Sequence, residues 1–330
     1  MHDLSAPTQK QMAARLGVSQ ALVSRALSGR AGEIGASRET VEKICRMAEE
    51  WNYQPSATAL ALLGASTRTI GVVVKNFDDP YFGRLIGALQ TLARGRKQSL
   101  LLTGPSKEDL SGLQRHRVDA VIFAGSDFLP EKPVKFERVI QIGTGTVFPG
   151  ATQIHMDEES GIGEIVDYLA GLGHREIGFV AREAKTNLRR AEMLRRSLRE
   201  RGFSVRGKLF VSFTGNEGAA AERTVKTLLG LARMPTAVIA AEDSIALALL
   251  RALHEAGLRV PQDISVAGID DIPVSAQAIP PLTTLRQPIS EMAAAAFHAI
   301  ADRQQKTVSI PGKLMIRSSC ATILSHKKIQ

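Results

Sequence analysis

From Thr69 onward, short apolar runs alternate with amphipathic stretches of helical length, and this alternation constrains the fold more than any other feature. Short runs rich in β-branched residues are typical of buried strands, and helices between successive strands favour parallel sheets. Seven such runs fit two doubly wound α/β lobes better than one. The predicted strands are 70–74, 99–103, 120–123, 138–142, 176–180, 237–241 and 264–269, and the predicted helices are 80–94, 158–172, 187–201, 216–232 and 243–256.

Residues 7–63 show several short helices and no strand pattern. Thr8 is the predicted N-cap of a first helix, Gly17 ends that helix, and Ser19 and Ser37 are the predicted N-caps of two more. Two helices joined by a tight turn are typical of helix-turn-helix DNA binders, although many helical hairpins bind nothing. The pattern alone therefore leaves open a DNA-binding unit and a plain helical subdomain.

The charge of the chain points only weakly to a polyanionic partner. The net charge is +9, but the basic excess lies in 182–208, where ten Lys and Arg accompany three Glu. A basic helical face of this kind is most often solvated surface. The 330 residues exceed what one core usually holds, so more than one folding unit is expected.

Several classes of protein lack support in the sequence. The two cysteines, Cys45 and Cys320, have no metal-ligand spacing and make no disulfide framework. No signal peptide and no membrane-spanning run is recognisable, so we expect a cytoplasmic protein. We find no nucleotide-binding loop, metalloprotease motif or nucleophile elbow, and we expect no catalytic residues, no metal and no cofactor. His174 follows a predicted helix, and we expect it to be structural.

Eight pieces of the sequence, in order, resemble the lactose-repressor (LacI/GalR) family of bacterial transcription regulators. MAARLGVSQALVSRALSG at 12–29 resembles the family helix-turn-helix, and NYQPSATALALL at 52–63 resembles its hinge segment. LGHREIGFV at 172–180 and VPQDISVAGIDDIP at 260–273 resemble family segments of the core. The other pieces are TRTIGVVV with DDPYF (67–82), PTAVIAAED (235–243), PPLTTLRQP (280–288) and LMIRSS (314–319).

The resemblance implies an all-α helix-turn-helix headpiece and an α/β core of two doubly wound lobes, similar to periplasmic binding proteins. The headpiece is predicted at 1–55, and the hinge helix and linker at 56–68. The first lobe is predicted at 69–156 plus 286–312, and the second at 157–285 plus 313–330. Family members are dimers that bind near-palindromic operator DNA, so a homodimer on double-stranded DNA is expected.

The second helix would present its first residues to base edges in the major groove. Arg25 is suited to guanine and Gln20 to adenine, and hydroxyl groups suit phosphate oxygens. The resemblance implies that Leu62 of the hinge wedges between base steps, whereas the alternative is a leucine that packs the linker against the core. Leu22 replaces a family threonine, and Ser56 replaces a family asparagine. The predicted DNA-binding residues are Thr8, Ser19, Gln20, Ala21, Ser24, Arg25, Ser28, Ser56, Ala59 and Leu62.

The resemblance also implies an effector site between the lobes. Carboxylates, Arg and Asn suit the hydroxyls of a sugar or polyol, although Asp270 and Asp271 would alternatively cap a turn and Arg190 would join the basic surface. Glu242 stands where the family has asparagine, and this favours a neutral polyhydroxy or amine-bearing ligand over a strongly anionic one. The predicted effector-binding residues are Asn76, Asp78, Tyr81, Phe82, Arg190, Glu242 and Asp270.

The segment 104–117 is shorter than in the family, and we expect its helix to be reduced to about one turn. The sequence as a whole predicts a ligand-responsive transcription repressor. The alternatives are a sugar-binding protein without gene control and an α/β enzyme that acts on a sugar.

Overall fold

The computed structural model describes residues 7–27, 36–53, 66–125, 136–145, 148–302 and 306–323. The chain divides after Thr67 into two compact units. The described part of the first unit is helical, and the second unit contains two six-stranded sheets. No helix within the described ranges is long and apolar enough to cross a membrane.

The N-terminal unit begins its helices at the predicted caps. Thr8 forms a reciprocal capping box with Gln11, and Gly17 ends the first helix with a left-handed φ of 66°. The Ser19 hydroxyl accepts a hydrogen bond from the Leu22 backbone N–H at 3.1 Å. The helices are α1 (Gln9–Leu16), α2 (Gln20–Leu27) and α3 (Arg38–Glu50).

Each helix of this unit contributes a fully buried side chain to one small core, namely Met12, Val23 and Ile44. Isolated helices of this length are marginal in water, so packing against this core keeps them folded. Ala26 is also buried, and Leu22 and Leu27 are partly buried against the same cluster. The apolar face of α2 thus points inward.

The second unit holds two parallel sheets with the same order of strands. In each, the first strand lies between the second and the third, which creates a switch point where ligands commonly bind. Among the described strands, one contact is antiparallel, and it joins the strands 283–286 and 313–315 of the second sheet. The first sheet contains β1 (Thr69–Val74), β2 (Ser99–Thr103), β3 (Ala120–Ala124), β4 (Val139–Ile142), β5 (Thr152–Asp157) and β11 (Thr307–Pro311). The second contains β6 (Ile177–Arg182), β7 (Phe210–Phe213), β8 (Ala237–Ala240), β9 (Ser265–Asp270), β10 (Thr283–Arg286) and β12 (Lys313–Met315).

Helices cover the faces of both sheets, and each sheet has its own apolar core. Leu85 and Leu89 from one helix and Met292 from another are fully buried against the first sheet. The helices are α4 (Pro80–Gly95), α5 (Lys107–Arg115), α6 (Glu158–Gly171), α7 (Lys185–Glu200), α8 (Glu217–Leu229), α9 (Asp243–Glu255) and α10 (Ile289–Ala301), with short 3-10 turns at Gly207–Leu209 and Pro273–Ala276.

All seven predicted strands are confirmed, with ends that differ from the prediction by at most two residues. Strands β5, β7, β10, β11 and β12 and helix α10 were not predicted from the sequence. Strand β5 alternates buried and partly exposed residues, and β11 lies at a sheet edge with three of its five residues exposed. Such segments lack the continuous apolar run that marks a fully buried strand.

The expectation for 104–117 is wrong, because α5 has nine residues, well over two turns. Ser106 begins this helix with a capping box to Asp109. Leu113 packs onto β1 at Gly71, where a Cβ atom would lie only 2.9 Å from the leucine side chain. The short segment therefore keeps its helix by fitting it closely against the sheet.

The basic residues of 182–208 lie mainly on the surface and pair with acids from neighbouring helices. Arg196 pairs with Glu159. Arg201 makes two hydrogen bonds to Asp167, at 2.6 and 2.8 Å. Pairs of this kind contribute little to stability, and this excess of positive charge is largely solvated surface.

His174 is structural, as expected. It is buried, and its Nδ1 and Nε2 atoms hydrogen-bond to Thr236 Oγ1 at 2.9 Å and to the Ala321 carbonyl at 3.1 Å. These contacts join the turn after α6 to the start of β8 and to the C-terminal segment.

Candidate functional site

A cleft of about 490 Å³ lies at the carboxyl ends of the strands of both sheets. This is the end of a parallel sheet at which loops place ligand-binding side chains. The seven residues predicted to bind an effector all line this cleft, and they are Asn76, Asp78, Tyr81, Phe82, Arg190, Glu242 and Asp270.

The loop after β1 and the first turn of α4 carry four of these residues into the cleft. Asn76 Oδ1 accepts from the Asp78 backbone N–H at 3.0 Å, which tightens the loop. Asp79 caps α4 by accepting from the Tyr81 N–H at 2.9 Å. The rings of Tyr81 and Phe82 then meet edge to face, with centroids 5.0 Å apart. The turn thus presents a fixed aromatic pair beside polar groups.

Arg190 of α7 and Glu158 at the start of α6 form a buried ion pair. Arg190 Nε lies 2.8 Å from Glu158 Oε1, and its Nη1 donates to the Ala241 carbonyl at 2.6 Å. Thr144 donates to the other oxygen of Glu158 at 3.0 Å. Burial opposes the charge of Arg190, but the neighbouring carboxylates raise its pKa above the ordinary value. Arg190 therefore belongs to the cleft and not to the basic surface.

Asp270 and Asp271 end β9 in left-handed conformations, with φ of 122° and 53°. Such conformations are strained in residues other than glycine and persist only where surrounding contacts fix them. Gln287 donates to Asp270 Oδ1 at 2.6 Å, and burial raises the pKa of Asp270 well above its ordinary value.

Asp271 is not among the residues that line the cleft, and it binds two arginines. Arg286 and Arg317 each donate to one of its carboxylate oxygens at 2.6 Å, and Arg84 donates to its backbone carbonyl. The following N–H, that of Ile272, bonds to Asp243. Neither Asp270 nor Asp271 caps the next turn, so that alternative is wrong.

Glu242 follows β8, and it accepts a hydrogen bond from Asn187 Nδ2 at 3.0 Å. Arg182 and Glu217 form another ion pair at the same end of the second sheet. Both arginines of the cleft are therefore engaged by carboxylates of the protein itself.

Sequence reasoning missed several polar residues that line the cleft. Glu158 and Gln287 follow β5 and β10, two strands that were not predicted, so their position at a sheet end was not visible. Asp79 lies in the segment DDPYF, directly before a proline that begins a helix, and this position is typical of an N-cap residue. The missed polar residues of the lining are Lys75, Asp79, Thr144, Glu158, Arg182, Thr186, Glu217, Ser244 and Gln287.

In the N-terminal unit, α2 turns a polar face outward. Gln20, Ala21 and Arg25 are exposed, and Ser24 between them is partly exposed. Thr8 and Ser19 are exposed at the starts of α1 and α2. The other predicted DNA-binding residues, Ser28, Ser56, Ala59 and Leu62, lie outside the described residues.

Known proteins resemble this chain over nearly its whole length. The periplasmic binding protein-like domain family matches residues 166–320. The transcriptional regulator GalS of Salmonella typhimurium is 31% identical over 307 residues, which cover 87% of this chain and 86% of GalS. The transcriptional repressor PurR of Mannheimia succiniciproducens is 30% identical over 338 aligned positions, which cover 96% of this chain and 99% of PurR.

The fold matches that of the lac repressor dimer bound to operator and the anti-inducer ONPF. The TM-score is 0.78 at 22% identity, with 96% of this chain and 100% of that chain covered. The sequence is 30% identical to PurR and 31% identical to GalS over most of the chain, and this similarity identifies the family. The helical N-terminal unit and the two sheets with a cleft at their carboxyl ends agree with it. This chain belongs to the LacI/GalR family of transcription regulators.

Proposed function

We propose that this chain is a sequence-specific transcription repressor whose affinity for operator DNA is set by a small effector, of the sugar or polyol class, bound in the cleft. The observation that carries the proposal is the joining of two parts in one chain. One is a three-helix unit with an exposed polar face on α2, and the other is an α/β unit with a polar cleft of about 490 Å³.

On the DNA side, α2 lies in the major groove with its N-terminal residues toward the bases. Arg25 donates two hydrogen bonds to a guanine, and Gln20 pairs with an adenine. Ala21 packs against a thymine methyl group. The remaining contacts hold phosphates or the hinge, and their proposed residues are Thr8, Ser19, Ser24, Ser28, Ser56, Ala59 and Leu62.

The functional unit is a homodimer, because two copies related by a two-fold axis read the two halves of a near-palindromic operator. Binding to chromosomal DNA places the protein in the cytoplasm. A single recognition helix makes few base contacts, so two are needed for a specific site.

On the effector side, carboxylates at the cleft accept hydrogen bonds from the hydroxyls of the ligand, and Asn76 both donates and accepts. The aromatic pair of Tyr81 and Phe82 covers an apolar face of the sugar ring. Asp270 belongs to the second sheet and Asn76 to the first, so one ligand contacts both. The ligand then favours one relative orientation of the two sheets, and operator affinity changes by its differential affinity for the two states.

The role proposed for the cleft is binding without turnover, and it involves no metal and no cofactor. The ion pair of Arg190 and Glu158 acts there as a fixed scaffold. Consumption of a bound sugar by the purified protein would overturn this part of the proposal.

The test is operator binding by an Arg25→Ala variant, measured by fluorescence anisotropy on DNA from the promoters flanking the gene. Losing a bidentate contact to a base costs about 1–3 kcal/mol, so we expect a loss of roughly tenfold or more per half-site. The matched control is Arg38→Ala, because Arg38 is an exposed arginine of the same unit that pairs with Glu42 on α3. Equal operator affinity in both variants would refute the assignment of α2.

A further inference from the structure

The charge of the cleft is strongly one-sided. Six carboxylates and three basic residues line it. Two of the basic residues are already engaged, because Arg190 pairs with Glu158 and Arg182 pairs with Glu217. The carboxylates outside these pairs are Asp78, Asp79, Glu242 and Asp270, and the remaining basic residue is Lys75.

Three of these carboxylates are held in place by neutral donors of the protein. Asp79 accepts from the Tyr81 N–H, Glu242 from Asn187 and Asp270 from Gln287, each through one oxygen. Within the described residues, the second oxygen of each has no hydrogen-bond donor. Each carboxylate is therefore oriented but keeps capacity to accept from a ligand.

These groups come from opposite sides of the cleft and interact with one another. Asp79 follows β1 of the first sheet, and Glu242 and Asp270 follow β8 and β9 of the second. Burial, and then the charge of Glu242, raises the pKa of Asp79. Burial also raises the pKa of Tyr81, and the charge of Asp270 adds to that shift. Carboxylates from the two sheets therefore interact across the cleft, while the charge of Arg190 acts in the opposite direction on the pKa of Asp270.

An unsatisfied polar atom lies beside Glu242. Asn187 is 99% buried, with 1% of its surface exposed, and its amide points at Glu242. Its Oδ1 atom is buried with no hydrogen-bond partner among the described residues. A buried acceptor without a donor costs free energy, and this one belongs to the side chain that holds Glu242, although Asn187 is not itself among the residues that line the cleft.

We propose that the effector is a cationic amino sugar or amino polyol, whose protonated amine binds between Asp79 on the first sheet and Glu242 and Asp270 on the second. An ammonium group has three hydrogen-bond donors and no acceptor. It therefore matches the carboxylates of Asp79, Glu242 and Asp270, which, when ionised, can only accept hydrogen bonds. The hydroxyls of the ligand occupy the rest of the cleft. This inference rests on the proposed function of the cleft as the effector site.

A cation held from both sides also explains how the ligand acts on the two sheets. Without the cation, like charges on opposite walls favour an open cleft, because each carboxylate is destabilised by the others. With the cation, the same charges favour a closed cleft. A neutral sugar has only its hydroxyls to join the two walls of the cleft. A sugar phosphate would add negative charge to an acidic site, which disfavours its binding.

The test compares ligands that share a skeleton and differ in charge. We would measure binding to the full-length protein by calorimetry for glucosamine and glucose, galactosamine and galactose, and mannosamine and mannose, each with its N-acetyl derivative. We expect at least one amine to bind tenfold or more tightly than its neutral partners, and high salt to reduce this difference. The inference is overturned if no amine binds, or if a neutral sugar binds as tightly as its amine.

A variant ties the result to the cleft. Glu242→Gln removes the charge and keeps the size, so it should weaken binding of the amine about tenfold and weaken binding of the matching neutral sugar much less. Asp79→Asn should act in the same direction, and it keeps the cap of α4 because Asn is an equally good N-cap. The control is Glu255→Gln, which changes a half-exposed acid at the end of α9.

Operator binding separates failure of this inference from failure of the proposed function. If a neutral sugar changes operator affinity and the amines do not bind, the repressor function stands and the cationic effector is wrong. If the protein does not bind operator at all, the function itself is wrong. Unchanged binding of the amine in both Glu242→Gln and Asp79→Asn would place the cation elsewhere and would also overturn the inference.

Discussion

On α2 the residues proposed to contact DNA are exposed, whereas in the cleft two residues proposed to contact the effector, Arg190 and Asp270, are buried and bonded to other side chains of the protein. Gln20, Ala21 and Arg25 are exposed, whereas Val23 and Ala26 are buried and hold the helix on its core together with the partly buried Leu22 and Leu27. Recognition and stability are thus carried by different side chains in the N-terminal unit.

In the cleft, some side chains contribute to ligand recognition and to stability at the same time. Arg190 and Glu158 are each about 95% buried, with 5% exposed, and they link α6, α7 and the end of β8. The difference is that residues that read DNA can be replaced on the surface of α2, while replacing Arg190 or Glu158 in the cleft also affects the fold. This contrast leads to predictions for stability that are large in the cleft and close to zero on α2.

The largest effect is expected for Glu158→Ala. The substitution leaves Arg190 as a buried charge without its carboxylate, and breaking a buried pair costs about 3–5 kcal/mol of unfolding free energy. Urea unfolding of the full chain measures it. The contrasting variant is Arg25→Ala, for which surface substitution predicts a change within about 0.5 kcal/mol. A similar loss of unfolding free energy in Glu158→Ala and Arg25→Ala would contradict the difference in stability between the cleft and α2.

The next largest effect is expected from the titration of Asp243, a buried acid at the start of α9, which makes the free energy of unfolding depend on pH. Burial raises the pKa of Asp243 to about 6. Hydrogen bonds from Ser275, Thr284 and Ile272 favour the ionised form and therefore lower the pKa, but burial has the larger effect. Because the folded pKa lies above the unfolded value near 3.8, this group's stabilising contribution is present below pH 4. It is lost as pH rises through about 6.

Asp243→Asn removes this titration. Between pH 4 and pH 7, wild type should lose on the order of 3 kcal/mol relative to the variant, as measured by urea unfolding at each pH. Taking the difference cancels acids such as Asp157 and Asp167, whose lowered pKa values act in the opposite direction. A difference that is flat with pH would show that Asp243 is ionised throughout.

A smaller effect is expected for Gly268→Ala in β9. A Cβ atom there would lie 2.2 Å from Asp243 Oδ1, so the strand and the buried carboxylate must separate. Overpacking of this kind costs about 1–3 kcal/mol. The control is Gly87→Ala in α4, where nothing lies within 4 Å of the new Cβ and helix propensity predicts a gain of about 0.5–1 kcal/mol. Loss of stability in the control and not in Gly268→Ala would contradict this packing.

The two regions also differ in how far the sequence predicts them. In the N-terminal unit, Thr8, Gly17 and Ser37 set helix ends through local hydrogen bonds and backbone conformation, so short-range patterns are enough. The polar residues of the cleft depend on which strands lie side by side. Glu158 and Gln287 escaped prediction because β5 and β10 lack a continuous apolar pattern of their own.

Resemblance to a family located Arg190 and Asp270 but not their partners. The contact of Arg190 with Glu158 spans 32 positions of the sequence, and that of Asn187 with Glu242 spans 55. Pairings over such separations follow from the packing of α6, α7 and α9 on the sheets. No local pattern in one sequence encodes them, and the acidic character of the cleft was visible only in part, through Asp78, Glu242 and Asp270.

The most direct test of the central claim is reciprocal coupling between the two sites. Operator affinity of the full-length protein would be measured with and without a ligand that binds the cleft, and ligand affinity with and without saturating operator. Thermodynamic linkage requires both to change by the same factor, and we expect this factor to be at least fivefold. A ligand that occupies the cleft while operator affinity stays unchanged would contradict control of DNA binding through this site.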